Sequence, residues 1–186
     1  MTKQIQFPHT IQNCLGEKLT FIRLEQDSNG DKLIVENEVL PGVGPVMHTH
    51  FFQDEALTVV SGKVGYQISG QAPQFAEVGE TVVFKRGTPH RFWNAGNEIL
   101  HCKGYIQPAN NIIYFLSGIF NAQNKTGSER PEIFDSAFLL TRYASEFDMT
   151  EMPFLIKKVV LPITFAIGKL TGKYDHFADA PPACTA

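Results

Sequence analysis

Cysteine is scarce and poorly placed for pairing. Cys14, Cys102 and Cys184 are odd in number, widely scattered and free of CxxC spacing, which excludes a disulfide framework and a cysteine-based structural zinc site. Reduced thiols in a cytoplasmic compartment are the expectation. The opening stretch, residues 1–19, holds no apolar run of signal-peptide length, so the sequence predicts no secretion. Positive charge is not in excess either. A formal net charge of -3 and a pI near 6.1 leave no positive field to attract phosphate backbones. Nucleic acid is therefore not an expected partner, and a small-molecule ligand or substrate, or a protein, takes its place.

What is present is enough for one substantial core. A chain of 186 residues that is 43% hydrophobic and 19% charged is expected to fold as a single domain with appendages. Residues 1–32 read as N-terminal strands or an extension, 33–107 as the core, 108–178 as a helical extension and 179–186 as a loose tail. Within the core, short runs rich in Val, Ile, Phe and Thr are separated by turn signals such as PGVG at 41–44, RGTP at 86–89 and NAGN at 94–97. That spacing predicts an all-β sandwich or barrel. Val64, Tyr66 and Ile68 alternate with Gly65 and Gln67, the period of a strand with one buried face.

Past Pro108 the pattern turns helical. NNIIYFLSGIF opens with asparagines able to cap a helix, and a second helix is expected from Pro131 to Phe147. The last apolar stretch, Pro153 to Leu170, places Ile156, Val160, Ile163, Ile167 and Leu170 on one helical face, with Lys158, Lys169 and Lys173 roughly opposite. Lys157, Lys158 and Pro162 argue against a membrane span, and Pro162 is expected to kink or restart the helix. The apolar face is expected to dock on the barrel or on a partner subunit in preference to a membrane surface. Barrel edges and this helix together predict a homodimer.

The chemistry is concentrated in two short segments. His48 and His50, one residue apart on a strand, project to the same side, Glu55 follows closely, and His90 opens another strand after the RGTP turn. Three imidazoles and a carboxylate suit one divalent metal ion such as iron, manganese, nickel, copper or zinc. His9, His101 and His176 have no comparable setting. Strand parity puts Phe52 with His50 and Phe92 with His90, so both phenylalanines are candidates to line a substrate pocket, while Trp93 points outward.

These segments resemble the cupins. Gly42 to Gly62 reads G-x5-H-x-H-x4-E-x6-G, and Gly79 to Asn94 reads G-x5-K-x-G-x2-H-x3-N. The second departs from the family pattern at Lys85, where proline is usual, which places the rigidity of that turn in question rather than the ligand set. The resemblance implies a double-stranded β-helix, or jelly-roll, barrel with the metal near one mouth and helices appended at the C-terminus. Its arrangement looks most like the quercetin-dioxygenase-like proteins. That likeness implies a metal-dependent dioxygenase acting on a small enol or catechol-like substrate, with Glu55 as ligand or catalytic base. Two other readings stay open: a non-catalytic cupin that binds a small ligand, and a redox-neutral isomerase or decarboxylase using the metal as Lewis acid.

Overall fold

A computed structural model of the protein describes residues 5–185. Its first ten strands are β1 (His9–Gln12), β2 (Glu17–Glu25), β3 (Lys32–Val39), β4 (His48–His50), β5 (Asp54–Ser61), β6 (Val64–Ile68), β7 (Gln74–Ala76), β8 (Thr81–Phe84), β9 (His90–Asn94) and β10 (Leu100–Gln107). Helices α1 (Ile112–Thr126) and α2 (Ile133–Arg142) follow, then β11 (Phe147–Met149) and α3 (Leu161–Leu170). The strands form two antiparallel sheets, ordered β1-β2-β3-β10-β5-β8 and β11-β4-β9-β6-β7. This is a jelly-roll-like core of antiparallel strands with C-terminal helices.

Alternation decides which side chains enter the barrel. In β8, Val82 and Phe84 are buried while Thr81 and Val83 are exposed; in β9, His90, Phe92 and Asn94 are buried and Arg91 and Trp93 are not. One apolar cluster takes Leu57, Val59 and Phe84 from the first sheet and Val64 and Phe92 from the second, so the sheets pack face to face. A second cluster joins Phe21, Leu33, Val35 and Ile106 to α1, α2 and Phe147. The helices therefore cover a face that the sheet could not leave in water.

β1 and β2 are integral to the first sheet, with β2 paired to β3 along almost its whole length. The residues read as an N-terminal extension thus share the barrel's hydrogen bonding. Two helical expectations change. The second helix ends at Arg142, and Phe147 lies on β11, which pairs with β4. Asn111 stands at the start of α1 without a side-chain cap; its amide donates instead to Glu146 Oε1 at 2.6 Å and to the Pro182 carbonyl at 2.9 Å. The C-terminal stretch is also not loose. Arg142 donates to the carbonyls of Ala180 and Pro181, Tyr143 Oη donates to Pro181 at 3.0 Å, and Cys184 N donates to Glu146 Oε1 at 2.8 Å. Ala186 lies outside the described residues.

The last helix does not dock on the barrel by the expected face. Ahead of Pro162, which has no N–H to donate, the chain widens into a π turn at Ile156–Val160, closed by Leu161 N donating to Ile156 O. The buried side of α3 is Leu161 and Gly168, with Phe165 half-buried beside them. Gly168 is glycine for contact: a Cβ there would stand 2.4 Å from the Tyr174 ring. Phe138 of α2 meets Tyr174 and Phe165 at centroid distances of 5.0 and 6.0 Å. These bulky aromatics fix the helix by its other side, so Ile163, Ile167 and Leu170 face outward at 55%, 47% and 87% exposure.

Candidate metal centre

The four residues singled out by spacing converge. One ligand atom from each of His48, His50, Glu55 and His90 lies within 4.8 Å of the others. Three secondary elements produce this: His48 and His50 flank Thr49 on β4, His48 faces His90 directly across the β4–β9 pair, and Glu55 stands on β5 of the opposing sheet. Ring centroids are 4.5 Å apart for His48 and His90 and 4.9 Å for His48 and His50. His50, Glu55 and His90 are buried, and His48 is half-buried, so the cluster opens on the His48 side.

Hydrogen bonds orient the rings. His48 Nδ1 is 2.8 Å from the Val46 carbonyl and His90 Nδ1 is 2.8 Å from the Thr88 carbonyl. A carbonyl can only accept, so each Nδ1 donates outward and leaves Nε2 as the ring nitrogen free to face the cluster. His50 is oriented by packing, edge-on to Phe147 at 5.6 Å. The floor is Phe84, stacked on His90 at 4.0 Å with the planes 9° apart. The cluster therefore sits at the seam between the two apolar cores.

Its electrostatics call for a cation. Burial lowers the His48 imidazole to about 4 and the His50 imidazole to about 3, with the neighbouring ring in each case adding to the effect, so both are neutral at physiological pH. Burial works to raise Glu55, but contact with His90 and the three surrounding imidazoles outweigh it and hold the carboxyl down at about 2. Glu55 Oε2 lies 3.4 Å from His90 Nε2 and 3.6 Å from His50 Nε2. His90 thus stands between two acceptors, the Thr88 carbonyl on Nδ1 and the Glu55 carboxylate on Nε2. A divalent ion bound by three Nε2 atoms and the carboxylate satisfies all of them, and the mixed nitrogen and oxygen donor set suits a first-row transition metal.

A clamp beneath the site replaces the missing proline. Lys85 Nζ is 3.2 Å from Asp54 Oδ2, and Arg86 donates to Asp54 Oδ1 from its backbone N at 2.9 Å and its Nε at 3.1 Å. Burial would raise the Asp54 carboxyl, but the Arg86 and Lys85 donors bring it down to about 2. Gly87, at φ +76°, then turns its N–H onto the His50 carbonyl at 2.7 Å. The turn that delivers His90 is in this way tied to the strand carrying His48 and His50 and to the residue before Glu55.

The phenylalanines are placed differently from one another. Phe92 is buried in the barrel's apolar cluster, among Leu57, Val59 and Val64. Phe52 is half-buried in the bend between β4 and β5, beyond the end of the strand at His50, so the parity used to align it with His50 does not reach it. Phe147, which walls His50, was not singled out in the sequence because a three-residue strand after a helix leaves no alternation to read. Gln53 was missed as well: it is 1% exposed, two residues ahead of Glu55, with both amide atoms unpaired among the described residues. Asp54 had a visible signal in the basic pair Lys85–Arg86, at a turn expected to need bracing.

Residues 36–103 match the family model described as a cupin domain. Solved structures resembling the protein include one of a double-stranded β-helix protein from Klebsiella pneumoniae, at 19% identity over 59% of this chain and 85% of that one, with a TM-score of 0.44. KdgF from Halomonas sp. aligns at 16% identity over 56% of this chain and 92% of that one, with a TM-score of 0.48. A putative sugar phosphate isomerase from Acidithiobacillus ferrooxidans aligns at 26% identity over 40% and 49%, with a TM-score of 0.37. No curated relative matches the sequence. The stretch that matches the cupin-domain model is thus the one that supplies all four residues of the His-His-Glu-His cluster. No helix among the described residues is long and apolar enough to cross a membrane.

Proposed function

We propose that the protein holds one divalent transition metal at His48, His50, Glu55 and His90 and acts as a metal-dependent dioxygenase on a small enol or catechol-like substrate. The observation that carries the metal reading is His90, held between two acceptors with a buried carboxylate on one side. When bound, a redox metal supplies activation of oxygen and of a substrate with two adjacent oxygen atoms.

The chain's own residues define the rest. Approach is from the His48 side, since the other three ligands are buried. Phe84 and Phe147 exclude water around His90 and His50. Glu55 is the one ionised oxygen donor in the cluster, able to serve as ligand or to take a hydroxyl proton from substrate. The unpaired amide of Gln53 offers one donor and one acceptor, and leaving buried polar atoms unmet costs about 1–3 kcal/mol each.

The test is elemental analysis of protein purified without added metal, followed by oxygen-electrode measurements on iron-loaded protein with catechols and enediols. One metal per chain and substrate-dependent oxygen uptake are expected. Undiminished turnover under strict anoxia would replace the oxidative reading with Lewis-acid isomerisation or decarboxylation, and stoichiometric ligand binding without turnover would leave a binding protein.

A further inference from the structure

The helical segment that starts at Phe154 and runs through α3 presents an apolar surface with nothing of the described chain packed on it. Phe154, Leu155, Val159, Ile163, Ile167 and Leu170 are 75%, 63%, 41%, 55%, 47% and 87% exposed. The spacing of Leu155, Val159, Ile163, Ile167 and Leu170 makes a continuous stripe along one side. Exposed hydrophobics on this scale on a single element mark a contact surface.

Charge identifies what covers it. Between Met152 and Tyr174 the sequence has four lysines and neither Asp nor Glu, in a chain whose net charge is -3. Lys157 is paired with Asp148 at 2.7 Å, but Lys158, Lys169 and Lys173 are exposed. Lys158 and Lys169 lie about three turns apart, on one line of the helix bordering the stripe. Lys169 Nζ stands over the Phe165 ring at 5.5 Å and Lys173 Nζ over the Phe134 ring at 5.7 Å, so both ammonium groups rest beside aromatic faces on residues that remain exposed. A second copy stacked on this face through a two-fold axis would bring lysines together with no carboxylate on the element to answer them. A surface with apolar chains below and anionic groups above answers both stripe and lysines.

We propose that this segment lies flat on anionic lipid, with the stripe at the acyl boundary and Lys158, Lys169 and Lys173 among the headgroup phosphates, holding the barrel at a membrane surface. At about 25 Å the helix suits an in-plane position. The proposal is independent of the metal.

The test is co-sedimentation of the full chain with vesicles of phosphatidylcholine alone and of phosphatidylcholine mixed with phosphatidylglycerol. Binding to the mixed vesicles but not to the neutral ones is expected. Lys158→Gln with Lys169→Gln should weaken binding by about fivefold per lysine. Ile163→Ser, Ile167→Ser and Leu170→Ser together should abolish it, with an unchanged circular-dichroism melt because all three side chains are exposed. Failure to bind either vesicle, or equal binding to both, would overturn the proposal. So would light scattering that shows a dimer, dissociated by the triple serine variant, in protein that ignores vesicles.

Discussion

The mouth of the barrel and the C-terminal helical layer meet at Phe147, yet their side chains find their places by different rules. In the barrel, a strand's alternation leaves two choices for each residue, and neighbouring strands agree on which is inward: His48 faces His90 in register, and Glu55 shares its strand with the buried Leu57 and Val59. In the helical layer, the inward side is chosen by whichever surface finds bulky partners. α3 turns Phe165 and Gly168 toward Phe138 and Tyr174 and leaves the more regular aliphatic stripe outside. Periodicity identifies a face; only packing says what that face touches.

That contrast can be broken most sharply at the ligands. His90→Ala removes one of four donors and leaves Glu55 without its nearest imidazole, so the metal recovered per chain should fall close to zero. Affinity should drop well beyond the 10–100-fold typical of residues that merely support a ligand, read by titration with a competing chelator. Phe147→Ala probes the junction of the two regions. It opens a hole between Phe115, whose ring stacks on it at 4.2 Å, and His50, and should cost about 3–5 kcal/mol in urea unfolding, with loosened metal as a second consequence. If stability falls but chelator titration is unchanged, the helical layer does not support the site.

Asp54→Ala isolates the brace under the His90 turn. With the fold intact, metal affinity should fall about tenfold, the lower end for a supporting contact. The smallest effect belongs far from the mouth. Glu17 is pushed up from the ordinary carboxylate range by burial, against the opposing hydrogen bond from Asn13. A raised folded value means that the native state holds its proton more tightly, so stability from this group is present in acid and is lost as pH climbs through that value. Glu17→Gln keeps an oxygen for Asn13 and should raise Tm at pH 7, with the gain fading as the solution is taken below the usual carboxylate range.

The ligand set and the barrel were legible because chemistry and spacing coincide there: histidines one residue apart share a face of a strand, and positive-φ glycines close the turns between short apolar runs. What supports the ligands was less visible. Nothing in the residues Phe51-Phe52-Gln53 says that β4 ends at His50, and with that end the alignment of Phe52 is lost. Lys85 was legible as a departure, but its remedy depends on Asp54, whose side chain reaches the turn only once β5 and β8 are paired. The final residues looked loose because prolines and small side chains offer nothing to bury. Their carbonyls are what the fold uses, and carbonyls are the same in every sequence.

Glu146 gives the end of the chain an unexpected address. Its carboxylate grips Cys184 and Asn111, while its own carbonyl accepts from Phe51 N at 2.9 Å, the residue immediately after His50. Cys184 is thereby two hydrogen bonds from the imidazole strand. Losing the Cys184–Glu146 hydrogen bond would therefore free one anchor of the segment that holds the chain just past His50.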